Sequence, residues 1–177
     1  NNSNYVLLGY LIELVSGKPY AEFLQTRIFD PIGMANSYFA TDRLLIPNRA
    51  DGYHLKETGY VNRTVIDFSV PFSSGSLMST VFDLLKWQMA LNGDRLLNEA
   101  SKDMVFSPKK LSNGEEISYG YGWHIRQIQG NPSREHGGSI FGFKSMAVYI
   151  PTRDIYVVGL TNCDCISPTQ LVLDIAK

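Results

Sequence analysis

Cysteine is nearly absent from this sequence: its 177 residues hold two, Cys163 and Cys165. They stand two apart at what reads as the end of a strand, where side chains i and i+2 share a face but rarely bond. A disulfide scaffold is therefore excluded, and the redox compartment stays open. Charge of one sign is also scarce. Lys plus Arg number 16 against 17 Asp plus Glu, for a net charge of -1, and no like-charge run exceeds Lys109-Lys110 or Glu115-Glu116. Nothing of this kind docks onto a nucleic-acid backbone or an anionic membrane surface. The longest apolar run, Tyr5 to Ile12 with Gly9 inside it, is followed by Glu13 and is too short for a transmembrane segment. Neither G-x-S-x-G nor a nucleotide-binding glycine pattern occurs. His54, His124 and His136 are the only histidines, and no spacing puts two of them on one face, so no metal site is expected. Repeats and low-complexity tracts are missing too. There is no starting Met, basic n-region or cleavage site. The chain opens in Asn1-Asn2-Ser3-Asn4 directly onto a helix, which reads as a cut inside a larger protein.

With 44% hydrophobic, 12% aromatic and 19% charged residues, the composition is that of an ordinary globular domain rather than a disordered or fibrous chain. A chain of this length buries roughly 70% of its unfolded surface, enough for a core without metal or disulfide support. Leu7, Leu8, Leu11, Ile12 and Val15 recur at helical spacing up to a C-capping Gly17, and the single charge, Glu13, predicts a mostly buried helix over 5–16. Tyr20, Phe23, Leu24 and Ile28 predict a second helix that Asp30-Pro31 and Gly33 stop, completing a helical hairpin. Residues 34–72 have no sustained period and read as loops with short extended pieces. Thr80 with Asp83 predicts a capped helix with Phe82, Leu85 and Met89 on one face, ending at Gly93, and Asn98 caps a short one to Phe106.

After the Asn113-Gly114 turn the pattern changes to period 2. Tyr119, Tyr121, Trp123 and Ile125 alternate with small or polar residues as in a half-buried strand. A polar turn at 130–134 follows, then strands at Phe143–Ile150 and Ile155–Leu160 joined by a tight loop. Pro168 to Ala176 reads as a closing helix with Leu171, Val172 and Ile175 as its apolar stripe. The fold class is α+β, with a mostly helical lobe over 1–115 and antiparallel strands plus a C-terminal helix over 116–177.

Glu135-His136-Gly137-Gly138-Ser139 is the segment with the most chemical potential, since paired glycines mark close backbone approach. By itself the pentapeptide reads first as a Gly-rich turn with an exposed histidine. Asn2, by the same reasoning, suits a helix N-cap. One S-x-x-K string occurs, Ser107-Pro108-Lys109-Lys110. The reaction associated with that string needs the Lys one helical turn from the Ser, and Pro108 breaks that geometry.

Taken in order, Asn2 to Gly17, Ile28-Phe29-Asp30-Pro31-Ile32-Gly33-Met34, Ser74-Gly75-Ser76-Leu77-Met78-Ser79-Thr80 with Asp83, Tyr119-Gly120-Tyr121-Gly122-Trp123 and His136-Gly137-Gly138 resemble the serine β-lactamase-like family. That family comprises class C β-lactamases, penicillin-binding DD-peptidases and related esterases, and the resemblance runs essentially from end to end. Three motifs meet there in one cleft: S-x-x-K with the nucleophile, Y-x-N, and K-T-G or H-x-G on the facing strand. Asn1-Asn2 looks like the "x-N" of the second and His136-Gly137-Gly138 like the H-x-G form of the third. The Tyr of Y-x-N, the S-x-x-K segment, the N-terminal helix and the first strands would all precede Asn1. His in place of the usual Lys favours a DD-peptidase or esterase-like relative over a β-lactamase.

The resemblance implies the C-terminal portion of a serine hydrolase that forms an acyl-enzyme with a small-molecule or peptide substrate: a β-lactam, a D-Ala-D-Ala peptide or an ester. Asn2 would position substrate, His136 would hold a carboxylate or relay a proton, and the Ser139 backbone N–H would be the second oxyanion donor. Gly137 and Gly138 would leave room for substrate along the strand edge. The partner implied is the upstream segment of the same protein, without metal or organic cofactor, in an extracytoplasmic setting. The 177 residues alone would be inactive, with an exposed sheet edge and apolar face. Two rival readings are a non-catalytic module that only recognises peptidoglycan- or penicillin-like ligands, and a self-sufficient enzyme using Ser107 and Lys110.

Overall fold

The structure is a computed structural model that describes residues 1–41 and 43–177; position 42, inside the expected 34–72 loop region, lies outside the described residues. Helix α1 runs over Asn2–Ser16 and ends at Gly17, whose φ of 67° is the left-handed conformation glycine adopts without strain. Helix α2 (Tyr20–Leu24) passes through a π turn at Gln25–Phe29 into α3 (Asp30–Ile32), so the second expected helix is one rod with a wide turn inside it. Tyr20, Leu24, Phe29 and Ile32 from this rod, with Met34 just beyond it, form one buried cluster with Ala90 of α4 (Val81–Asn92). Thr80 Oγ1 accepts from the Asp83 N–H, as the capping pattern requires. The Asp83 carboxylate, fully buried, accepts from Asn36 N, Ser37 Oγ and Lys86 Nζ and ties α4 to the turn after α3. Burial raises the Asp83 pKa, and these donors outweigh it, leaving the carboxyl below its usual range.

Three two-stranded ribbons carry the connections: β1 (Tyr38–Phe39) with β4 (Leu77–Met78), β2 (Tyr53–Lys56) with β3 (Gly59–Asn62), and β5 (Lys109–Lys110) with β6 (Glu116–Ile117). Helix α5 (Glu99–Val105) is capped by Asn98 Oδ1, which accepts from Ser101 N. The main sheet has the order β10-β9-β8-β7, all antiparallel: β7 His124–Ile128, β8 Asn131–Ile140, β9 Phe143–Ile150 and β10 Ile155–Thr161. Helix α6 (Thr169–Ile175) lies on it and, with Ile128, Met146, Val148, Ile150, Val172 and Ala176, makes a second buried cluster. Beyond β10 the sheet has no further strand among the described residues, so its outer edge is open.

Several expectations need correction. Helix α1 is not mostly buried: Gly9 is its one buried residue, whereas Leu14 is 79% and Val15 88% exposed. Its inward face is Val6, Gly9, Ile12 and Ser16, and Leu7, Leu8 and Leu11 point outward. The same reversal occurs on α4, where Phe82, Leu85 and Met89 are exposed and Asp83, Gln88, Ala90 and Leu91 are buried. On α6 only Val172 of the expected stripe is buried; Leu171 and Ile175 face out. Helical spacing fixes which residues share a face but not which face meets protein.

The strand expected from Tyr119 begins at His124 instead. Residues before it form a loop around Gly122, whose φ is 85°. The turn expected at 130–134 is Gln129-Gly130, both with positive φ, and the Glu135 to Ser139 segment lies inside strand β8 rather than in a turn. Cys163 and Cys165 do bond. They follow β10 in a turn that brings their Cα atoms to 5.2 Å, closer than the extended spacing of two residues along a strand, and within the usual disulfide range.

Candidate active site

The Asn1 side chain caps α1, its Oδ1 accepting from Ser3 N at 2.9 Å. Asn2, first residue of the helix, is thereby released from the capping role, and it lines an open cleft of about 460 Å³ together with Asn1, Tyr5, Ser74, Tyr119, Gly122, His124 and His136. Tyr5 is three positions after Asn2, which helical geometry puts on the same side. A serine clamp holds it there: Ser73 Oγ donates to the Tyr5 carbonyl at 2.7 Å, and α1 approaches so closely that a Cβ on Gly9 would stand 2.1 Å from that hydroxyl. Ser74, next in the chain, donates to the Pro71 carbonyl at 2.5 Å and forms the cleft's second wall.

The third wall comes from the loop before β7 and from β8. Tyr119 bridges to His124, and their rings meet edge to face at 4.8 Å. The β7 ladder reaches only to Glu135, so from His136 to Ile140 strand β8 is paired with β9 alone and its other edge is open among the described residues. In that register His124 opposes Glu135, and a regular ladder would put His124 and His136 on opposite faces. Their rings nevertheless stack at 5.5 Å and 28°, His124 being the first residue of β7, where the ladder no longer constrains it. Two histidines with no helpful spacing in sequence therefore share one site.

Hydrogen bonds connect the cleft residues. Tyr5 Oη donates to Tyr119 Oη at 3.3 Å, Tyr119 Oη lies 3.1 Å from His136 Nε2, and His136 Nδ1 lies 2.6 Å from the Gly137 carbonyl oxygen. Burial, aided by the Tyr5 hydroxyl, pushes the Tyr119 phenol up to about 12. Burial also lowers the His124 imidazole, with Arg126 and His136 adding to the effect and Glu135 opposing it. Glu135 itself is 2% exposed and pairs with Arg126 at 2.7 Å.

Of the sequence-derived candidates, Asn2 and His136 come together in the cleft. Gly137, Gly138 and Ser139 continue along the same open stretch of β8, exposed and outside the cleft lining. A Cβ on Gly138 would stand 2.7 Å from Ser145 Oγ of β9, so a side chain there would have to turn that hydroxyl aside. Tyr5, Ser74, Tyr119 and His124 were not legible as site residues. Only Tyr5, one turn from Asn2, offered a usable signal. Ser107 Oγ donates to the Asp103 carbonyl at the end of α5 while Lys110 sits in β5, and neither lines the cleft. His54 is engaged elsewhere, its Nδ1 2.6 Å from Asp164 and its Nε2 accepting from Thr64 N at 2.9 Å. Among the described residues no three His, Cys, Asp or Glu side chains are grouped to hold a metal ion.

The beta-lactamase family model matches residues 1–166. Penicillin-binding protein 4* of Bacillus subtilis (strain 168) is 35% identical over 175 residues, covering 86% of this chain and 37% of that protein. A D-aminopeptidase of Gluconobacter oxydans (strain 621H) is 25% identical over 162 residues, 91% of this chain and 30% of that one. Among solved structures, the octameric penicillin-binding protein homologue from Pyrococcus abyssi superposes with a TM-score of 0.84 at 28% identity, covering 99% of this chain and 41% of its own. The chain thus spans well under half the length of these relatives.

Proposed function

Because this chain belongs to the beta-lactamase family, we propose that it is the cleft-bearing portion of a serine hydrolase that opens an amide or ester through an acyl-enzyme. The observation that supports the reading is that Asn2 of α1 and His136 of β8, the residues that the x-N and H-x-G resemblances single out, line one cleft. A serine hydroxyl is a poor nucleophile until a neighbouring base takes its proton, and the tetrahedral intermediate then needs fixed N–H donors. The serine and its lysine come from an S-x-x-K segment outside these 177 residues, since the one such string here lies away from the cleft. Asn2 offers a carboxamide to a substrate amide or to that lysine. His136 takes up a proton or holds a substrate carboxylate, and the Ser139 N–H is the second oxyanion donor, on the stretch of β8 whose one edge pairs with β9 and whose other edge is open among the described residues.

The substrate is a β-lactam, a D-Ala-D-Ala peptide or an ester. Relatives named penicillin-binding protein and D-aminopeptidase support a D-configured amide or peptide. An extracytoplasmic setting is consistent with the Cys163–Cys165 disulfide, and no helix among the described residues is long and apolar enough to cross a membrane.

The test compares the longer protein that carries this chain with the 177 residues alone. The longer protein should form a one-to-one covalent adduct with a fluorescent penicillin and hydrolyse a D-amino-acid amide. His136→Ala should lower its kcat/KM about ten- to a thousandfold, the loss of one well-placed polar group worth roughly 1.4 to 4 kcal/mol. The isolated chain should neither form the adduct nor hydrolyse a chromogenic cephalosporin. An adduct on Ser107, or penicillin bound by the longer protein without any covalent step, would overturn the reading in favour of a self-sufficient enzyme or a binding module respectively.

A further inference from the structure

The hydroxyl and imidazole groups along the cleft leave one another a single assignment of donors and acceptors. A carbonyl oxygen only accepts, so the contact of His136 Nδ1 with the Gly137 carbonyl at 2.6 Å puts the hydrogen on Nδ1. In the neutral ring Nε2 then has only its lone pair, and Tyr119 Oη, 3.1 Å away, must donate to it. That spends the one phenolic hydrogen of Tyr119, whose oxygen in turn accepts from the Tyr5 hydroxyl at 3.3 Å. One backbone carbonyl therefore sets the direction of a chain of donations running from α1, through the loop before β7, into β8. The chain keeps this direction at neutral pH, because Tyr119 is pushed up to about 12 and stays protonated.

We propose that Tyr119, backed by Tyr5, is a positioning residue that holds His136 as the Nδ1–H tautomer, with Nε2 as the proton-accepting end reached from the cleft through the two phenols. The step balances without a co-reactant. An X–H group in the cleft gives its proton to the Tyr5 oxygen, Tyr5 passes its own to Tyr119, and Tyr119 passes its own to Nε2. X keeps the bonding electron pair, each tyrosine again carries one O–H, and His136 becomes an imidazolium with a hydrogen on both nitrogens. The groups facing His136 are Tyr119 and, behind it, Tyr5, and the stacked ring of His124; Glu135, next in the chain, lies on the other face of the strand and is occupied by Arg126. From β9 its register partner is Ala147, which carries no charge. The proposal deepens the role given to His136 above and rests on that reading for its catalytic consequence, though not for its geometry.

Long-range 15N–1H correlation spectra of the full chain at about pH 8, where an ordinary histidine is neutral, read the tautomer of each imidazole. His136 should show a pyrrole-type Nδ1 and a pyridine-type Nε2 shifted by an accepted hydrogen bond. In Tyr119→Phe the Nε2 resonance should move to the position of a free pyridine-type nitrogen, and in Tyr5→Phe it should move the same way by less. In the longer protein, Tyr119→Phe should lower kcat about ten- to a hundredfold with little change in KM. A pyrrole-type Nε2 on His136, or an Nε2 resonance indifferent to both substitutions, overturns the proposal whatever the activity. If Tyr119→Phe does not fold, the wild-type tautomer and Tyr5→Phe decide the matter. The predicted spectra with undiminished turnover in Tyr119→Phe would leave the tautomer standing and remove His136 from proton transfer.

Discussion

His124 and His136 show how differently two like residues are used at the scale of single side chains. His136 has its Nδ1 on a backbone carbonyl and its Nε2 on a phenol. His124 contributes a ring face, stacked on His136 and edge-on to Tyr119. Burial first, then the positive charge of Arg126 and of a protonated His136, disfavours protonation of His124, so its folded value lies below the ordinary 6.5. The sign of the stability effect follows. Between the depressed folded value and 6.5 the unfolded chain binds more protons than the folded one, so stability falls as pH drops through that window and gains nothing from His124 above it. Denaturant midpoints measured from about pH 7.5 to 5 should therefore decline less steeply in His124→Phe than in the unsubstituted chain. Identical slopes would mean that His124 is as freely hydrated folded as unfolded.

At the scale of elements, the site depends on how α1 docks. The helix touches the 72–74 turn through Gly9, and the Ser73 hydroxyl at that contact is engaged with the Tyr5 carbonyl, so helix position and Tyr5 position are one variable. Gly9→Ala pits two effects against each other. Intrinsic helix propensity favours alanine by about 1 kcal/mol. The new Cβ, however, would stand 2.1 Å from Ser73 Oγ, 2.5 Å from Ser73 Cβ and 2.8 Å from the Phe72 ring, and neither the Ser73 Cβ nor the ring is a free side-chain end. Lifting the helix off this turn should cost more than the propensity returns, leaving a net loss of about 1 to 3 kcal/mol. Urea unfolding measures it directly. An alanine variant of equal or greater stability would show that α1 can slide along the turn, and the shared placement of Tyr5 would then have to be given up.

For the molecule as a whole, the outward faces are its least ordinary feature. Leu7, Leu8, Leu11, Leu14 and Val15 on α1 and Val81, Phe82, Leu85 and Met89 on α4 are all exposed, and strand β10 ends the sheet with an open edge. Soluble monomers seldom present large apolar surface or an unprotected edge. The 177-residue chain by itself should accordingly bind a hydrophobic dye and self-associate in a concentration-dependent way. The longer protein proposed above should do neither. Sedimentation and dye titration test this, and a monomeric, dye-negative, cooperatively melting chain would contradict it.

What the residues determined without help was local and periodic. Gly17 and Gly33 in the left-handed conformation, the Thr80 to Asp83 cap, the Asn98 cap and the two strands on either side of Pro151 to Asp154 each depend on neighbours within a few positions, where propensity and hydrogen-bonding chemistry are decisive. The ordered series of motifs also carried the family, and it singled out Asn2 and His136 as candidates, which the fold brings to one cleft. The outward turn of the apolar stripes on α1 and α4, the start of β7 at His124 and the inclusion of Glu135 to Ser139 in a strand were set by contacts between distant segments. So was the Cys163–Cys165 bond, which depends on a backbone turn that alternation along a strand does not announce. The stacking of His124 on His136, and the placing of Tyr5 and Tyr119 between α1 and β8, belong to tertiary structure alone, because no spacing along the chain encodes where a strand ladder ends and an edge is left open.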